Sequence, residues 1–195
     1  SRGLGDVYKR QGINMIVDVT IEIPKKSNVK YEYNRADQSI SVDRILYGSE
    51  VYPQNYGFLP EALDYDGDEL DMLVIADQAF MPGIKVPARI IGAMEMVDSG
   101  ETDTKLIGVI ACDPRYSHVN SLADVSEHLL KEISNFFQNY KILQKKQVIV
   151  KGFKDEAWAI NEYNECKQLM TEHGKLPKDD FVALMKSKHP ETYEF

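Results

Sequence analysis

From Val17 to Ile23 apolar residues alternate with Asp18, Thr20 and Glu22, the period of a half-buried strand, and Pro24 ends it. Val29, Tyr31 and Tyr33 alternate with Lys30, Glu32 and Asn34, which predicts a second strand with Lys30 and Glu32 on its polar face. Ile40 to Leu46 reads as a third, carrying Arg44. Tyr52 to Pro60 holds Pro53, Gly57 and Pro60 and is expected to be an ordered loop or edge segment, not a regular element. The run Met72–Ile75 has the character of a buried strand. Ile84 to Val97 predicts another, bent or at an edge around Pro87. Asp98 to Asp103 reads as an acidic hairpin-like turn, after which Lys105 to Ala111 returns as a strand.

The second half of the chain changes period. Leu129, Ile133, Phe136, Phe137 and Tyr140 fall at helical spacing, with Asp124 or Ser126 as candidate caps. Gln147 to Phe153 predicts one more short strand. Ala159, Tyr163, Cys166 and Met170 then predict a second helix, with Gly174 and Pro177 as stop signals. Asp179 or Asp180 would start a short final helix ending near His189-Pro190. A run of strands followed by helices places the chain in the α+β class, a β core with helices packed against it.

A length of 195 residues with 43% hydrophobic composition fits one domain with a substantial core. The net charge of −8 argues against a nucleic-acid surface and against an anionic membrane face. No apolar run approaches the length of a membrane span. Cys112 and Cys166 form no C-x-x-C pair and read as reduced thiols of a cytoplasmic protein, Cys112 as a buried small hydrophobe. The opening Ser1–Asp6 has no apolar core and is not a signal peptide. Residues 1–14 lack periodicity and are expected to be a disordered or artefactual extension. Met15 would then open a single domain over residues 15–195.

Asp66-Gly67-Asp68-Glu69-Leu70-Asp71 carries the chemistry. Three aspartates at i, i+2 and i+5 repel one another unless a divalent cation sits among them, and carboxylates are hard ligands suited to Mg²⁺, Mn²⁺ or Ca²⁺. An EF-hand would use Asp64, Asp66 and Asp68. It would also need glycine where Glu69 stands and a bidentate Glu where Ile75 stands, so it is rejected. Further carboxylates (Glu22, Glu32, Asp98, Asp103), cations (Lys30, Arg44, Lys105, Lys141) and phenols (Tyr52, Tyr56, Tyr140) recur along the chain. Taken singly, Lys30 and Glu32 read as a solvated strand face, and the tyrosines as core or turn aromatics. Together they would suit a highly charged phosphate, which metals and fixed cations neutralise. There is no P-loop, G-x-S-x-G or H-E-x-x-H, and the four histidines show no ligand spacing.

The hexapeptide matches the D-x-D-[PE]-x-D pattern of the family I soluble inorganic pyrophosphatases, and the chain resembles that family. Support comes, in the family's order, from Ile21-Glu22-Ile23-Pro24, Lys30-Tyr31-Glu32, Val42-Asp43-Arg44 and Tyr52-Pro53-Gln54-Asn55-Tyr56-Gly57. It continues with Asp98, Asp103 and Lys105, and with Phe136-Phe137-Gln138-Asn139-Tyr140-Lys141. The resemblance implies a small closed five-stranded β-barrel of the OB type with helices against it. It implies hydrolysis of pyrophosphate to two phosphates by a hydroxide bridging two divalent metal ions. Several Mg²⁺ ions would occupy the site, with Mn²⁺ or Zn²⁺ as substitutes.

By the same resemblance Asp66, Asp71 and Asp103 would bind the metal pair that flanks the attacking water, with Asp68 as its base. Asp98 and Glu22 would bind the ions that arrive with substrate. Lys30, Arg44, Tyr140 and Lys141 would hold the leaving phosphate, and Tyr56 and Lys105 the phosphate under attack. Glu32 and Tyr52 would support them. Ser99 replaces a second acidic residue that bacterial relatives often carry, which bears on the outermost metal. The family's short prokaryotic members imply a homo-oligomer, a hexamer. Two other classes fit the residues less well. A calcium-binding module leaves Lys30, Arg44, Lys141 and the tyrosines unexplained. An OB-type single-strand nucleic-acid binder needs a basic groove that a charge of −8 does not supply.

Overall fold

The structure is a computed structural model, and it describes residues 14–193. The expectation for the N-terminal extension falls outside the described residues, apart from Asn14. Among the described residues eight strands form: β1 (Ile16–Ile23), β2 (Val29–Asn34), β3 (Ser39–Ile45), β4 (Asn55–Leu63), β5 (Glu69–Ile75), β6 (Lys85–Asp98), β7 (Glu101–Ile110) and β8 (Val148–Lys154). Three α-helices follow the ring strands: α1 (Glu127–Asn139), α2 (Glu156–His173) and α3 (Lys178–Lys188).

The main sheet runs β1-β4-β5-β7-β6-β8, and β1 also pairs with β6. Five strands, β1, β4, β5, β7 and β6, therefore close into a ring. Four of its five pairings are antiparallel and β5–β7 is parallel. β2 and β3 do not join the ring. They make a separate antiparallel hairpin, because their polar faces leave only partly buried side chains.

Alternation along the strands splits the core in two. Val19, Ile21, Leu59, Met72, Val74, Ile90 and Leu106 belong to one cluster, which draws on all five ring strands and is closed by Ala159, Tyr163 and Cys166 of α2. Leu73, Ile75, Met94, Ile107 and Val109 point the other way, onto Ile133, Phe136, Phe137 and Tyr140. Strands buried on both faces read as continuous apolar runs, which is why Met72–Ile75 shows no alternation. Each fully buried large side chain contributes about 1.5–3 kcal/mol.

Several expectations need correction. The segment around Tyr56 is a strand from Asn55, not an irregular one, since Pro60 falls beside the irregular pairing between Leu59 and Leu63. The turn after Asp98 is only Ser99-Gly100, both at positive φ (53° and 83°), as a two-residue hairpin that matches strand twist demands. Asp103 therefore lies on β7. Pro87 sits inside the ring, opposite Asp18 of β1, and not at an edge.

The helix ends and the exposure of Cys112 also differ from expectation. Ser126 precedes α1 without a side-chain cap, while Asp124 accepts from the Asn120 and Ser121 amides. α3 starts at Lys178 behind Pro177. Cys112, just past β7, is exposed, whereas Cys166 is buried, and both thiols are free. Among the described residues no helix is long and apolar enough to cross a membrane.

Candidate active site

The β4–β5 connection is a tight loop. The Asp64 amide donates to the Asp68 carbonyl (2.8 Å) and the Gly67 amide to the Asp64 carbonyl (3.0 Å). Gly67 has φ +87°, a region costly for other residues. Asp66 Oδ1 accepts from the Asp68 amide at 2.9 Å. The loop thus presents Asp66 and Asp68 at the mouth of β5, and Asp71 follows two residues into that strand.

β7 runs parallel to β5 with Lys105 in register with Asp71, and Asp103 lies on the same face two residues earlier. Lys105 Nζ, on a side chain only 4% exposed, reaches Tyr56 Oη at 2.6 Å, Asp71 Oδ2 at 2.8 Å and Asp103 Oδ1 at 2.8 Å. Tyr56 Oη in turn donates to Asp71 Oδ2 at 2.6 Å. Burial works against the charge on Lys105, but Asp103 and Asp71 outweigh it and hold its pKa well above the ordinary value.

Asp98 ends β6, where Lys141 forms an ion pair with it and Tyr140 Oη donates at 3.2 Å. Burial raises the Asp98 pKa, but Lys141 outweighs burial and the net shift is downward. At Lys141 burial wins over Asp98, so that its pKa falls. Tyr140 is thus both part of the apolar stripe of α1 and a site hydroxyl. Burial, Tyr52 and Asp98 push its pKa up, against the pull of Lys105.

These groups converge on a cavity of about 370 Å³. Its walls include Glu22, Lys30, Glu32, Tyr52, Tyr56, Asp66, Asp68, Asp71, Asp98, Asp103, Lys105, Tyr140 and Lys141. Of the residues singled out in the sequence, Arg44 is the one that does not line it. Its guanidinium pairs with Asp43 on β3, and its Nε and second Nη are buried without a hydrogen-bond partner. Lys30 also faces Asp43, at 3.5 Å. Lys30 is half-buried and Glu32 exposed, so their solvated face is also a wall of the cavity. The β2–β3 hairpin folds them over the cavity.

Some site residues were not singled out. Asp64 enters the sequence reading only as a loop position, yet it is buried, and its carboxylate lies within 4.8 Å of those of Asp66 and Asp103. Its two-residue spacing before Asp66 was the available signal. Asp43 was quoted but given no role. Lys178 Nζ lies 2.7 Å from Asp68 Oδ2, across 110 residues of sequence that carry no hint of it.

The arrangement fits a divalent cation. Burial raises the pKa of Asp66 well above the carboxylate range, and Asp64 and Asp103 add to it. Burial likewise raises Asp103 against the pull of Lys105. Asp103 Oδ1 meets Lys105 at ion-pair distance but without an aligned hydrogen bond. Closely packed, buried carboxylates that resist ionisation are what a cation would relieve.

Glu22 shows the same condition. Burial, with Asp71 adding, lifts it from 4.5 to about 8, against the Tyr33 amide bond of 2.9 Å and Lys30. Between those two values the unfolded chain is ionised at Glu22 and the folded chain is not. Unfolding then releases a proton, so stability falls as pH rises through this window. Without divalent ions the thermal midpoint should drop from about pH 5 to about pH 8. Glu22→Gln should flatten that slope. A midpoint that rises with pH over this range in metal-free protein would contradict the assignment.

A ring-closed sheet thus brings carboxylates, a buried lysine and phenols around one polar cavity. The inorganic pyrophosphatase family profile matches residues 19–171. The inorganic pyrophosphatase of Malacoplasma penetrans is 69% identical over 180 residues, which is 92% of this chain and 99% of the relative. That of Ureaplasma parvum is 64% identical over 92% of this chain and 99% of its own. The crystal structure of inorganic pyrophosphatase from Thermus thermophilus superposes with a TM-score of 0.78 at 39% identity, covering 80% of this chain and 91% of that one. The chain belongs to the inorganic pyrophosphatase family.

Proposed function

We propose that this protein hydrolyses pyrophosphate to two phosphates with Mg²⁺, on the closed ring read as an OB-type barrel. The observation that carries this is the convergence of Asp66, Asp68, Asp71, Asp98 and Asp103 with Lys105, Tyr56 and Tyr140 on one cavity. Asp66, Asp71 and Asp103 would hold a pair of ions, and Asp98 and Glu22 the ions that accompany substrate. When bound, such ions neutralise phosphate oxygens and acidify the attacking water.

The chain's own groups do the rest. Asp68 takes the proton of the attacking water, whose oxygen forms the new P–O bond as the bridging P–O bond breaks. Lys105 and Tyr56 orient the phosphate under attack. Lys30, Lys141 and Tyr140 receive the leaving phosphate, and Arg44 would join them only by turning its guanidinium from Asp43 toward the cavity. Glu32 and Tyr52 line the same cavity and support these groups. We also propose a homo-hexamer, which light scattering would report as a multiple of the 22.2 kDa chain.

Phosphate release from pyrophosphate tests the proposal. Mg²⁺ should support turnover, whereas Ca²⁺ should bind and support it poorly, because Ca²⁺ is larger, tolerates irregular geometry and acidifies water less. No phosphate release with Mg²⁺ sinks the reading, and equal rates with both ions remove the metal argument.

A further inference from the structure

The chain beyond residue 171 lies outside the span that the family profile matches. The Synechocystis inorganic pyrophosphatase, 44% identical, aligns with 77% of this chain while covering 89% of its own length. The Malacoplasma relative aligns with 92% of this chain. α3 lies beyond the matched span, and it packs on the loop that carries Asp66 and Asp68. Phe181 and Met185 of α3 bury themselves with Leu63 and Leu169, and Tyr65 and Tyr193 pack against them. Tyr193 Oη donates to the Tyr65 carbonyl at 2.6 Å. A Cβ added at Gly67 would meet Lys178 Cγ at 2.7 Å and Val182 Cγ2 at 3.3 Å, so loop and helix are in direct contact.

At the front of this contact Lys178 Nζ donates to Asp68 Oδ2 at 2.7 Å. Among the described residues no other side chain hydrogen-bonds that carboxylate, and Asp68 Oδ1 has no partner. Asp68 stands where the catalytic cavity meets a second groove that Arg35, Lys175 and Lys178 line. A half-exposed aspartate without a partner samples several rotamers. Lys178 removes that freedom while leaving one oxygen open.

We infer that Lys178 is a positioning residue for the proposed reaction: from α3 it anchors Asp68 Oδ2 and leaves Oδ1 free to accept the proton of the attacking water. This rests on the reading of Asp68 as the base. The role is not one of stability, since an exposed ion pair adds little to it. The stem of Lys178 lies against Gly67, so its ammonium is held and the anchor is directional.

The test uses the full chain with saturating Mg²⁺. Lys178→Ala should lower kcat about tenfold, equivalent to about 1.4 kcal/mol, with KM unchanged within about twofold. Lys178→Arg should recover most of the loss, and the thermal midpoint should stay put in both. In an Asp68→Asn background, Lys178→Ala should have no further effect on kcat, because the group it positions can no longer accept a proton. An unchanged or raised kcat in Lys178→Ala overturns the inference. So does a full tenfold loss in the Asp68→Asn background, or a loss that follows a falling thermal midpoint and resists Arg rescue. If wild type releases no phosphate, the functional reading fails instead, which separates the two failures.

Discussion

Asp68→Asn should reduce kcat by about 10²–10⁴-fold, the size of general acid–base effects. The amide keeps the shape of the carboxylate and can still bond the water, but it cannot take the proton. The deficit should shrink as pH rises and hydroxide forms without help. Asp71→Asn removes the same charge from a different place. Asp71 lies on β5 between Tyr56 Oη (2.6 Å) and Lys105 Nζ (2.8 Å) and is read as a metal ligand. Its loss should weaken Mg²⁺ binding first, and excess Mg²⁺ should recover part of the rate. Metal titrations and pH–rate profiles of both variants decide the matter. Rescue of Asp68→Asn by Mg²⁺, without rescue of Asp71→Asn, would reverse the two roles.

Replacing Lys105 by Met should be costly twice. In metal-free protein it leaves the Asp71 and Asp103 carboxylates beside one another without the buried cation between them. Breaking a buried pair from one side costs about 3–5 kcal/mol. Mg²⁺ should return part of that stability by supplying the missing charge, which urea unfolding with and without chelator would measure. Activity should stay low even with Mg²⁺. The ammonium is read as a fixed donor to the phosphate under attack, and removing one such donor costs about 10²–10³ in kcat. Full activity at saturating Mg²⁺ would show that Lys105 serves only to neutralise the carboxylates.

Much of the fold is legible in local pattern. The alternation of Val17 to Ile23 and the apolar run Met72–Ile75 become β1 and β5, because half-buried and fully buried strands carry those signatures. α1 emerges from the spacing of Ile133, Phe136 and Phe137, which bury against the sheet. The strand around Tyr56 was missed because two prolines and a glycine outweigh local propensity. Tertiary pairing to β1 and β5 overrides them. Cys112 read as buried because it follows an apolar run, but the chain leaves the sheet one residue after Ile110.

The candidate site divides the same way. Local sequence carries the list of charged and phenolic groups and the tight spacing of Asp66, Asp68 and Asp71, since residues this close in the chain must be close in space. It could not decide which distant groups meet. Lys105 finds Asp71 only through the parallel β5–β7 register. Lys30 and Glu32 border the cavity because β2 and β3 pair as a separate hairpin that folds over it. Arg44 matched the pattern, but its strand turns it toward Asp43 and off the cavity wall. Asp64 and Lys178 had no local mark strong enough to find them. Their contacts depend on the loop's Gly67 turn and on the packing of α3 across it. Periodicity records the faces that single elements bury, whereas encounters between elements far apart in sequence are set by how those faces pack together, and only the tertiary structure holds that information.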